Sequence, residues 1–309
     1  MMGSSAARLA GRTVIALEGE EASDFLQGLV TVDLRELGPR RSLWGALLNP
    51  QGRYLFDFFL YYDRPGRLLM ECESQRAPDL LRRLQLYRLR RQIAIAEEPG
   101  LAVLASDAPP SRFGLGEQRG ESGRAQDAIV AVDPRLASLG LRLLLPPAAV
   151  AAFLATYGLR EVPATVFERR RLELGVPEGS SDLLPERSLP LECNFAELGG
   201  ISFEKGCYVG QEVTARMHFR ARPRRRLLPA RFPAGAPQPG AIVETADGMQ
   251  AGSVVRVASD IGLVLVRVEH LGRPDAQPLR ADGREVEPWV PPWLGLKEKI
   301  PLQGDADEA

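Results

Sequence analysis

The most distinctive stretch of this sequence is Lys205-Gly206-Cys207-Tyr208-Val209-Gly210-Gln211-Glu212. Its two glycines bracket the cysteine and permit backbone conformations and close approaches that larger residues would obstruct. Lys205 and the nearby Arg216 place positive charge where it could stabilise a thiolate, the form of cysteine that acts as a nucleophile or metal ligand. The alternative is that Cys207 is a small buried apolar residue, as most free cysteines are. Spacing alone leaves both interpretations open.

This octapeptide is similar to the signature of the YgfZ-type folate-binding proteins, which are relatives of the glycine-cleavage aminomethyltransferase. Other segments resemble that family in the same order along the chain. The resemblance extends from Val14 to Thr214, with a weaker match in the β-rich region that follows. The segments that carry it are residues 25–28 with Thr31 and Asp33, residues 49–53, residues 87–91 and residues 171–177.

The resemblance implies an α+β fold: an aminomethyltransferase-like body with a ferredoxin-like portion and a C-terminal antiparallel β-barrel, around a channel that accepts tetrahydrofolate. It also implies an accessory role in the assembly or repair of a subset of iron–sulfur proteins, including tRNA-modifying enzymes. The partners would be iron–sulfur client proteins or assembly carriers. Cys207 would be the residue needed for activity and a transient cluster ligand. The cofactor-binding candidates in the motif are Lys205, Gly206, Tyr208, Gly210, Gln211 and Glu212.

Two further candidates come from comparison with the aminomethyltransferases. Asp57 follows the turn at residues 49–53, in the region where those enzymes place a catalytic carboxylate near folate; the alternative is an ordinary strand aspartate. Arg142 stands where they have a glutamate that grips the pterin ring. A guanidinium cannot accept hydrogen bonds from the pterin N–H groups as a carboxylate does. This departure argues against glycine-cleavage activity, and Arg142 is predicted to pair with a carboxylate of the substrate or of the protein, or to be a solvated strand residue.

Hydrophobic patterning along the chain is typical of an α+β body followed by a small β-domain. Helical spacing predicts helices over residues 78–89, 148–157 and 164–174, while the residues of 106–126 predict an exposed loop. Two β-rich runs, 43–48 and 54–62, flank the turn formers of residues 49–52 and predict a hairpin. Short β-rich runs after residue 230 predict an antiparallel barrel or sandwich. The predicted organisation is a folate-binding region over residues 1–226, a barrel domain over 227–290 and a tail over 291–309 with a disordered acidic end.

The composition excludes several classes of protein. The chain has 39 basic and 40 acidic residues, a net charge of −1, so no global field draws it to nucleic acid or to an anionic membrane. No apolar run approaches the roughly 18 residues of a membrane span, and the N-terminus lacks a secretory h-region. The three cysteines form no C-x-x-C pair, as expected in a reducing compartment. We therefore expect a bacterial cytoplasmic protein, or a mitochondrial matrix protein if the source is eukaryotic.

No resident metal site is predicted. Three cysteines cannot supply the four thiolates of an ordinary iron–sulfur site, and His218 and His270 are too far apart for a histidine-based site. A basic run follows the motif and would either attract carboxylates or phosphates, of a folate tail or of tRNA, or form a solvated connection between domains. Direct binding of nucleic acid is not expected. The run consists of Arg216, Arg220, Arg222, Arg224, Arg225 and Arg226.

The residues leave three functions open. The first is the folate-dependent accessory factor for iron–sulfur proteins, with Cys207 meeting a cluster, a sulfur species or the client. The second is a folate-dependent one-carbon transferase that uses Asp57. The third is a non-enzymatic protein whose motif loop docks a partner. A single cysteine serves as nucleophile, ligand or redox group equally well, so the sequence does not choose among them.

Overall fold

The computed structural model describes residues 3–220, 223–271 and 278–295. Within them the strands form two open sheets and one closed barrel. The helices are α1 (Ala22–Gln27), α2 (Ala77–Arg88), α3 (Val150–Thr156), α4 (Thr165–Glu173) and α5 (Gln211–Arg220). The strands are β1 (Ser5–Arg8), β2 (Arg12–Glu18), β3 (Leu43–Leu48), β4 (Tyr54–Arg64), β5 (Arg67–Glu73), β6 (Ala94–Glu97), β7 (Ala102–Ser106), β8 (Ser122–Ala125), β9 (Ala128–Val132), β10 (Leu141–Leu145), β11 (Arg160–Glu161), β12 (Arg225–Arg231), β13 (Ile242–Glu244), β14 (Gln250–Ala258), β15 (Ile261–Arg267), β16 (Leu279–Ala281) and β17 (Arg284–Pro288).

The five-stranded sheet has the order β3-β4-β5-β2-β6 and is antiparallel throughout. Successive side chains of a strand point to opposite faces, and β4 shows why both faces are buried. Phe58 and Leu60 pack in one apolar cluster with residues of α1 and α2. Phe59 and Tyr61 lie in a different cluster on the other face. The predicted hairpin around residues 49–52 is confirmed by the pairing of β3 with β4.

The six-stranded sheet has the order β11-β1-β7-β10-β9-β8. Its outer face is covered by α3, because Leu141, Leu143 and Leu145 of β10 cluster with residues of that helix. The loop predicted over residues 106–126 is wrong in its last part, where β8 forms and pairs with β9. The glycine, serine and charged residues of β8 have low strand propensity, so the sequence did not predict this strand. It forms because it pairs with the apolar strand β9.

The C-terminal strands close into an antiparallel barrel with the order β12-β15-β14-β13-β16-β17, which confirms the predicted barrel. Leu228, Val254 and Val264 are among the residues that fill its interior. The division at residues 226 and 227 stays a prediction, and β12 begins at Arg225. The predicted disorder of the acidic end at 304–309 lies outside the described residues.

The inner faces of both sheets and one side of the barrel meet in a single apolar cluster. It contains Phe59 of the five-stranded sheet, Leu144 of the six-stranded sheet and Leu263 of the barrel. This arrangement places a central layer between the three units. Any charged side chain that points into this layer must be paired, since an isolated buried charge is very costly.

Candidate functional site

Lys205 anchors the cysteine-containing loop to the body. Its ammonium group donates hydrogen bonds to the carbonyl oxygens of Val30 and Val32, both at 2.6 Å, and lies 5.4 Å from the centre of the Tyr208 ring. The residue is buried, and burial lowers the pKa of Lys205 to about 8. The predicted cofactor-binding lysine is therefore engaged by backbone that follows α1, and it fixes the start of the loop.

Gly210 anchors the other end of the loop. Its φ of +83° is one that residues with a Cβ rarely adopt. A Cβ there would stand 2.5 Å from the carbonyl oxygen of Asn49 and 3.0 Å from the Cα of Gly52. The loop thus packs directly on the β3–β4 turn, as expected for a glycine that permits close approach. Gly206 has a φ of +96° and no neighbouring atom within 4 Å of such a Cβ, so its conformation alone requires glycine.

Cys207 is the accessible thiol of the chain. All three cysteines lie in the described residues; Cys207 is exposed, whereas Cys72 and Cys193 are buried. Burial raises the pKa of each of these two thiols to about 12. A buried thiol of high pKa is a poor nucleophile and a poor metal ligand. Of the two interpretations of Cys207, the geometry therefore excludes the buried apolar residue.

The remaining motif residues organise the backbone around Cys207. The side-chain oxygen of Gln211 accepts a hydrogen bond from the backbone N–H of Tyr208 at 3.3 Å, and the ring of Tyr208 is buried. Glu212 is exposed and pairs with Arg216 at 2.8 Å. Lys205 and Arg216 thus each have a partner of their own, and their role in stabilising the thiolate stays a prediction.

The helix α5, which begins inside the motif at Gln211, was not predicted from the sequence. A signal for it exists, because Val213 and Met217 are separated by four residues, the spacing of one helical face. The following basic run is partly structural. Arg225 pairs with Glu192 at 2.9 Å, and Arg226 is buried and pairs with Glu197 at 2.9 Å, so the predicted solvated connection is wrong at Arg226.

Arg142 does not face solvent but crosses the central layer from β10. It is 3% exposed, and its guanidinium donates to Glu71 at 2.6 Å, to Glu178 at 2.7 Å and to Asp133 at 3.2 Å. Its carbon centre lies 3.7 Å from the centroid of the Phe59 ring. Of the predicted alternatives for Arg142, pairing with carboxylates of the protein is the one that its contacts support.

These groups belong to a cluster that we call the charged layer. Burial alone would lower the pKa of Arg142, but attraction to Glu71 and Glu178 outweighs it and holds that pKa well above the ordinary value. Burial alone would raise the pKa of Glu178, but attraction to Arg142 holds it well below its ordinary range. Three arginines thus balance three carboxylates. The charged layer consists of Arg12, Glu71, Asp133, Arg135, Arg142 and Glu178.

A cavity of about 350 Å³ opens beside the charged layer and allows the predicted tetrahydrofolate to be tested. Its volume is within the range of small-molecule pockets. A pterin ring needs free acceptors for its N–H groups. The carboxylates that line the cavity are each already paired with an arginine: Asp133 with Arg135, Glu168 with Arg171, and Glu178 with Arg142. A pterin ring in this cavity would therefore have to share acceptors that are already paired with arginines.

The same cavity does fit an anionic group. Arg256 of β14 lines it, and its Nη2 donates to Glu168 at 3.3 Å. Its Nε is buried 4.0 Å from the nearer carboxylate oxygen of Asp182 and has no hydrogen-bond partner among the described residues. A buried guanidinium N–H without a partner is costly and suits a carboxylate oxygen. The glutamyl end of a folate supplies such a carboxylate, so Arg256 is a binding candidate that sequence reasoning missed. Its position in an otherwise β-prone run gave no signal of this.

Asp57 is buried in β4 and its carboxylate is occupied by protein donors. It accepts hydrogen bonds from the hydroxyl of Tyr54 at 2.9 Å, the indole N–H of Trp44 at 3.2 Å and the backbone N–H of Gly179 at 3.1 Å. These contacts join β3, β4 and the segment after α4. Asp57 as a catalytic group stays a prediction, and its present contacts are those of a residue that holds the central layer together.

Comparison with known proteins defines the class of protein from the fold. A family model described as the C-terminal β-barrel domain of CAF17 matches residues 224–296. The whole chain resembles the glycine cleavage system aminomethyltransferase T from Bartonella henselae, with a TM-score of 0.76 and 17% identity, over 94% of this chain and 86% of that chain. At this identity the likeness shows the fold alone. It confirms the predicted aminomethyltransferase-like α+β fold with its C-terminal barrel.

Sequence relatives then define the family. The chain is 37% identical over 287 residues to the mitochondrial iron–sulfur cluster assembly factor IBA57 of Homo sapiens, across 86% of this chain and 78% of that protein. The IBA57 of Mus musculus is 35% identical over 295 residues, with the same shares. A homologue from Mycosarcoma maydis is 27% identical over 363 residues, across 97% of this chain and 87% of that protein. The chain belongs to the IBA57 family of iron–sulfur cluster assembly factors, whereas the narrower YgfZ assignment stays a prediction.

Proposed function

We propose that this chain is an accessory factor for the assembly or repair of a subset of iron–sulfur proteins, and that it offers Cys207 to a cluster in transit. The observation that carries the proposal is the exposed thiol of Cys207 on a loop fixed at both ends, by Lys205 and by Gly210. A ligand held this way loses little conformational freedom when the cluster binds. That the cargo is an iron–sulfur cluster is inferred from the family to which the chain belongs.

The cluster is cargo and not a resident cofactor in this proposal. A [2Fe–2S] cluster takes four ligands, and Cys72 and Cys193 are buried in the core. Among the described residues no group of three or more histidine, cysteine, aspartate or glutamate side chains is placed to hold a metal. The remaining ligands must therefore come from a partner, either the protein that delivers the cluster or the client that receives it.

The relatives' names locate those proteins in mitochondria, and for this chain we propose a mitochondrial matrix or a bacterial cytoplasm, where thiols stay reduced. None of the helices in the described ranges is long and apolar enough to cross a membrane. Client enzymes of two kinds are proposed, a [4Fe–4S] dehydratase and a cluster-dependent tRNA-thiolating enzyme.

Deleting the gene tests this function. We expect the activities of both client enzymes to fall several-fold in the deleted cells, while a dehydrogenase without a cluster keeps its activity. Client polypeptide levels, measured in the same extracts, separate loss of cluster from loss of protein. Undiminished activity of both client enzymes would refute the proposed function.

A bound tetrahydrofolate is proposed as the second component, with its glutamyl carboxylate at Arg256. Support for this placement comes from the Nε of Arg256, which has no hydrogen-bond partner in the described part of the chain. We expect p-aminobenzoylglutamate, which has the carboxylates and no pterin, to compete with tetrahydrofolate in calorimetric titration. Arg256→Met should weaken both ligands about tenfold, the effect of losing one charge-assisted hydrogen bond of roughly 1.5 kcal/mol. The exposed Arg267→Met is the matched control.

The titration has two opposite outcomes. Equal affinity of the Arg256→Met and wild-type proteins would remove Arg256 from the site. The absence of heat or of competition with any reduced folate would remove the cofactor and leave the Cys207 loop as the functional element.

A further inference from the structure

The helix α5 is unusually exposed for an element that follows a functional loop. Of its ten residues only Thr214 is buried. Phe219 is 72% exposed, although a phenylalanine gains about 1.5–3 kcal/mol from full burial. An exposed large apolar side chain beside a functional group is a feature of interaction sites.

Aromatic rings connect the end of α5 to the beginning of the motif loop. The ring of His218 stacks on Phe203 with centroids 3.8 Å apart, and Phe219 meets both rings edge-on at 6.0 and 4.9 Å. Phe203 lies four residues before Cys207, so the chain leaves these rings, passes the exposed cysteine and returns to them along α5. We call Phe203, His218 and Phe219 the aromatic face.

The chain segment that carries His218 and Phe219 is basic in sequence. Residues 211–224 contain Arg216, Arg220, Arg222 and Arg224 and one acidic residue, Glu212, a net charge of 4 − 1 = +3 with histidine neutral. The whole chain has a net charge of −1, so this charge is local. A partner with an acidic rim gains from it, whereas a second copy of this face meets the same charge and is repelled.

We propose that the aromatic face is the docking surface for an acidic protein that ligates the shared cluster with its own cysteines. The inference rests on the proposed function, because the ligands that Cys207 lacks must come from a second protein. Cys207 and the thiolates of that protein would bind the same cluster. The surface of the partner must therefore cover the residues around Cys207. The aromatic face would then be a hot spot, since buried aromatic anchors carry much of the binding energy of an interface.

Binding measured anaerobically tests this proposal. The probe is a carrier protein with an acidic surface, loaded with a [2Fe–2S] cluster held by cysteines. We expect Phe219→Asp to weaken the complex at least tenfold. The matched control is Leu86→Asp on α2, where the leucine is 71% exposed, and it should change the affinity less than twofold. Both residues are exposed, so circular dichroism should show an unchanged fold.

A glutathione-coordinated [2Fe–2S] complex separates docking from ligation, since it delivers the cluster without a protein surface. Phe219→Asp should accept this cluster as the wild type does. If the wild type accepts it but does not bind the carrier, or if Phe219→Asp and Leu86→Asp weaken the carrier complex equally, the docking surface is wrong and the proposed function stands. If the wild type accepts neither form of the cluster, the proposed function itself fails. Self-association lost in Phe219→Asp, or displacement of the carrier by tRNA, would overturn the protein-docking assignment.

Discussion

Arg142→Ala is expected to destabilise the fold by about 3–5 kcal/mol, because it leaves buried carboxylates without their shared partner. The guanidinium donates to Glu71, Asp133 and Glu178, and only Arg12 and Arg135 would remain to balance them. Native domains are stable by roughly 5–15 kcal/mol, so this single loss would remove a large part of the free energy of unfolding. Denaturant titration at neutral pH measures the effect.

The control for this change is Arg64→Ala, which removes an exposed arginine paired with Glu18 at 2.6 Å. A surface pair contributes about 0–1 kcal/mol, so the midpoint of the denaturant titration should move little. Arg142→Glu places a fourth carboxylate in the charged layer, so it should lower the free energy of unfolding more than Arg142→Ala does. If Arg142→Ala cost no more than Arg64→Ala, the charged layer would not be the structural centre described here.

The same substitution should change how stability depends on pH. The pKa values of Asp133 and Glu178 are lowered in the folded state, the latter well below its ordinary range. Their contribution is therefore complete above the unfolded pKa values of about 4 and is lost as the pH falls through the folded values. Arg142 is the main cause that lowers the pKa of Glu178 and, after Arg135, a further cause that lowers the pKa of Asp133. The stability gap between wild type and Arg142→Ala should therefore narrow in acid.

Cys207→Ser is expected to abolish cluster binding and leave the fold intact. The thiol is exposed, so its replacement should change the free energy of unfolding by no more than about 0.5 kcal/mol. A serine hydroxyl does not replace a thiolate as an iron ligand. The variant should therefore lose the visible absorption acquired from glutathione-coordinated [2Fe–2S] complex, together with the one thiol that reacts rapidly with a disulfide reagent.

Cys72→Ala and Cys193→Ala are the matched controls for this loss. Both side chains are buried and their pKa values are raised to about 12. Each variant should therefore keep the rapid reaction of the Cys207 thiol and the ability to acquire the cluster. A Cys207→Ser protein that acquires the cluster as the wild type does would show that the motif acts through its shape, as a docking loop, rather than through sulfur.

The sequence predicted those parts of the fold that depend on local patterns. Helices α2, α3 and α4, the β3–β4 hairpin and the barrel each follow from spacing, turn residues or β-rich runs within a short segment. The strand β8 was missed because its serine and glycine residues have weak strand propensity, whereas α5 gave only one apolar pair at helical spacing, Val213 and Met217. Both elements depend on contacts with distant parts of the chain, such as that between Gly210 and the carbonyl oxygen of Asn49.

The candidate site was predicted only in part, and for the same reason. The motif predicted the importance of Cys207. Lys205 anchors the loop through the carbonyl oxygens of Val30 and Val32, which lie some 170 residues earlier in the chain and which the motif did not indicate. The charged layer left one visible signal: Glu71 and Arg142 each interrupt an apolar strand. A charge inside a buried strand predicts a partner, but nothing in the sequence says which residue it is.

The role of the Cys207 thiol in cluster assembly is tested most directly by complementation of cells that lack the gene. Plasmids would supply the wild type, Cys207→Ser or Cys193→Ala, with equal protein levels confirmed, and the activity of the [4Fe–4S] dehydratase would be measured. We expect the wild type and Cys193→Ala to restore this activity and Cys207→Ser not to restore it. Full restoration by Cys207→Ser would contradict the claim that this chain assists cluster assembly through its exposed thiol.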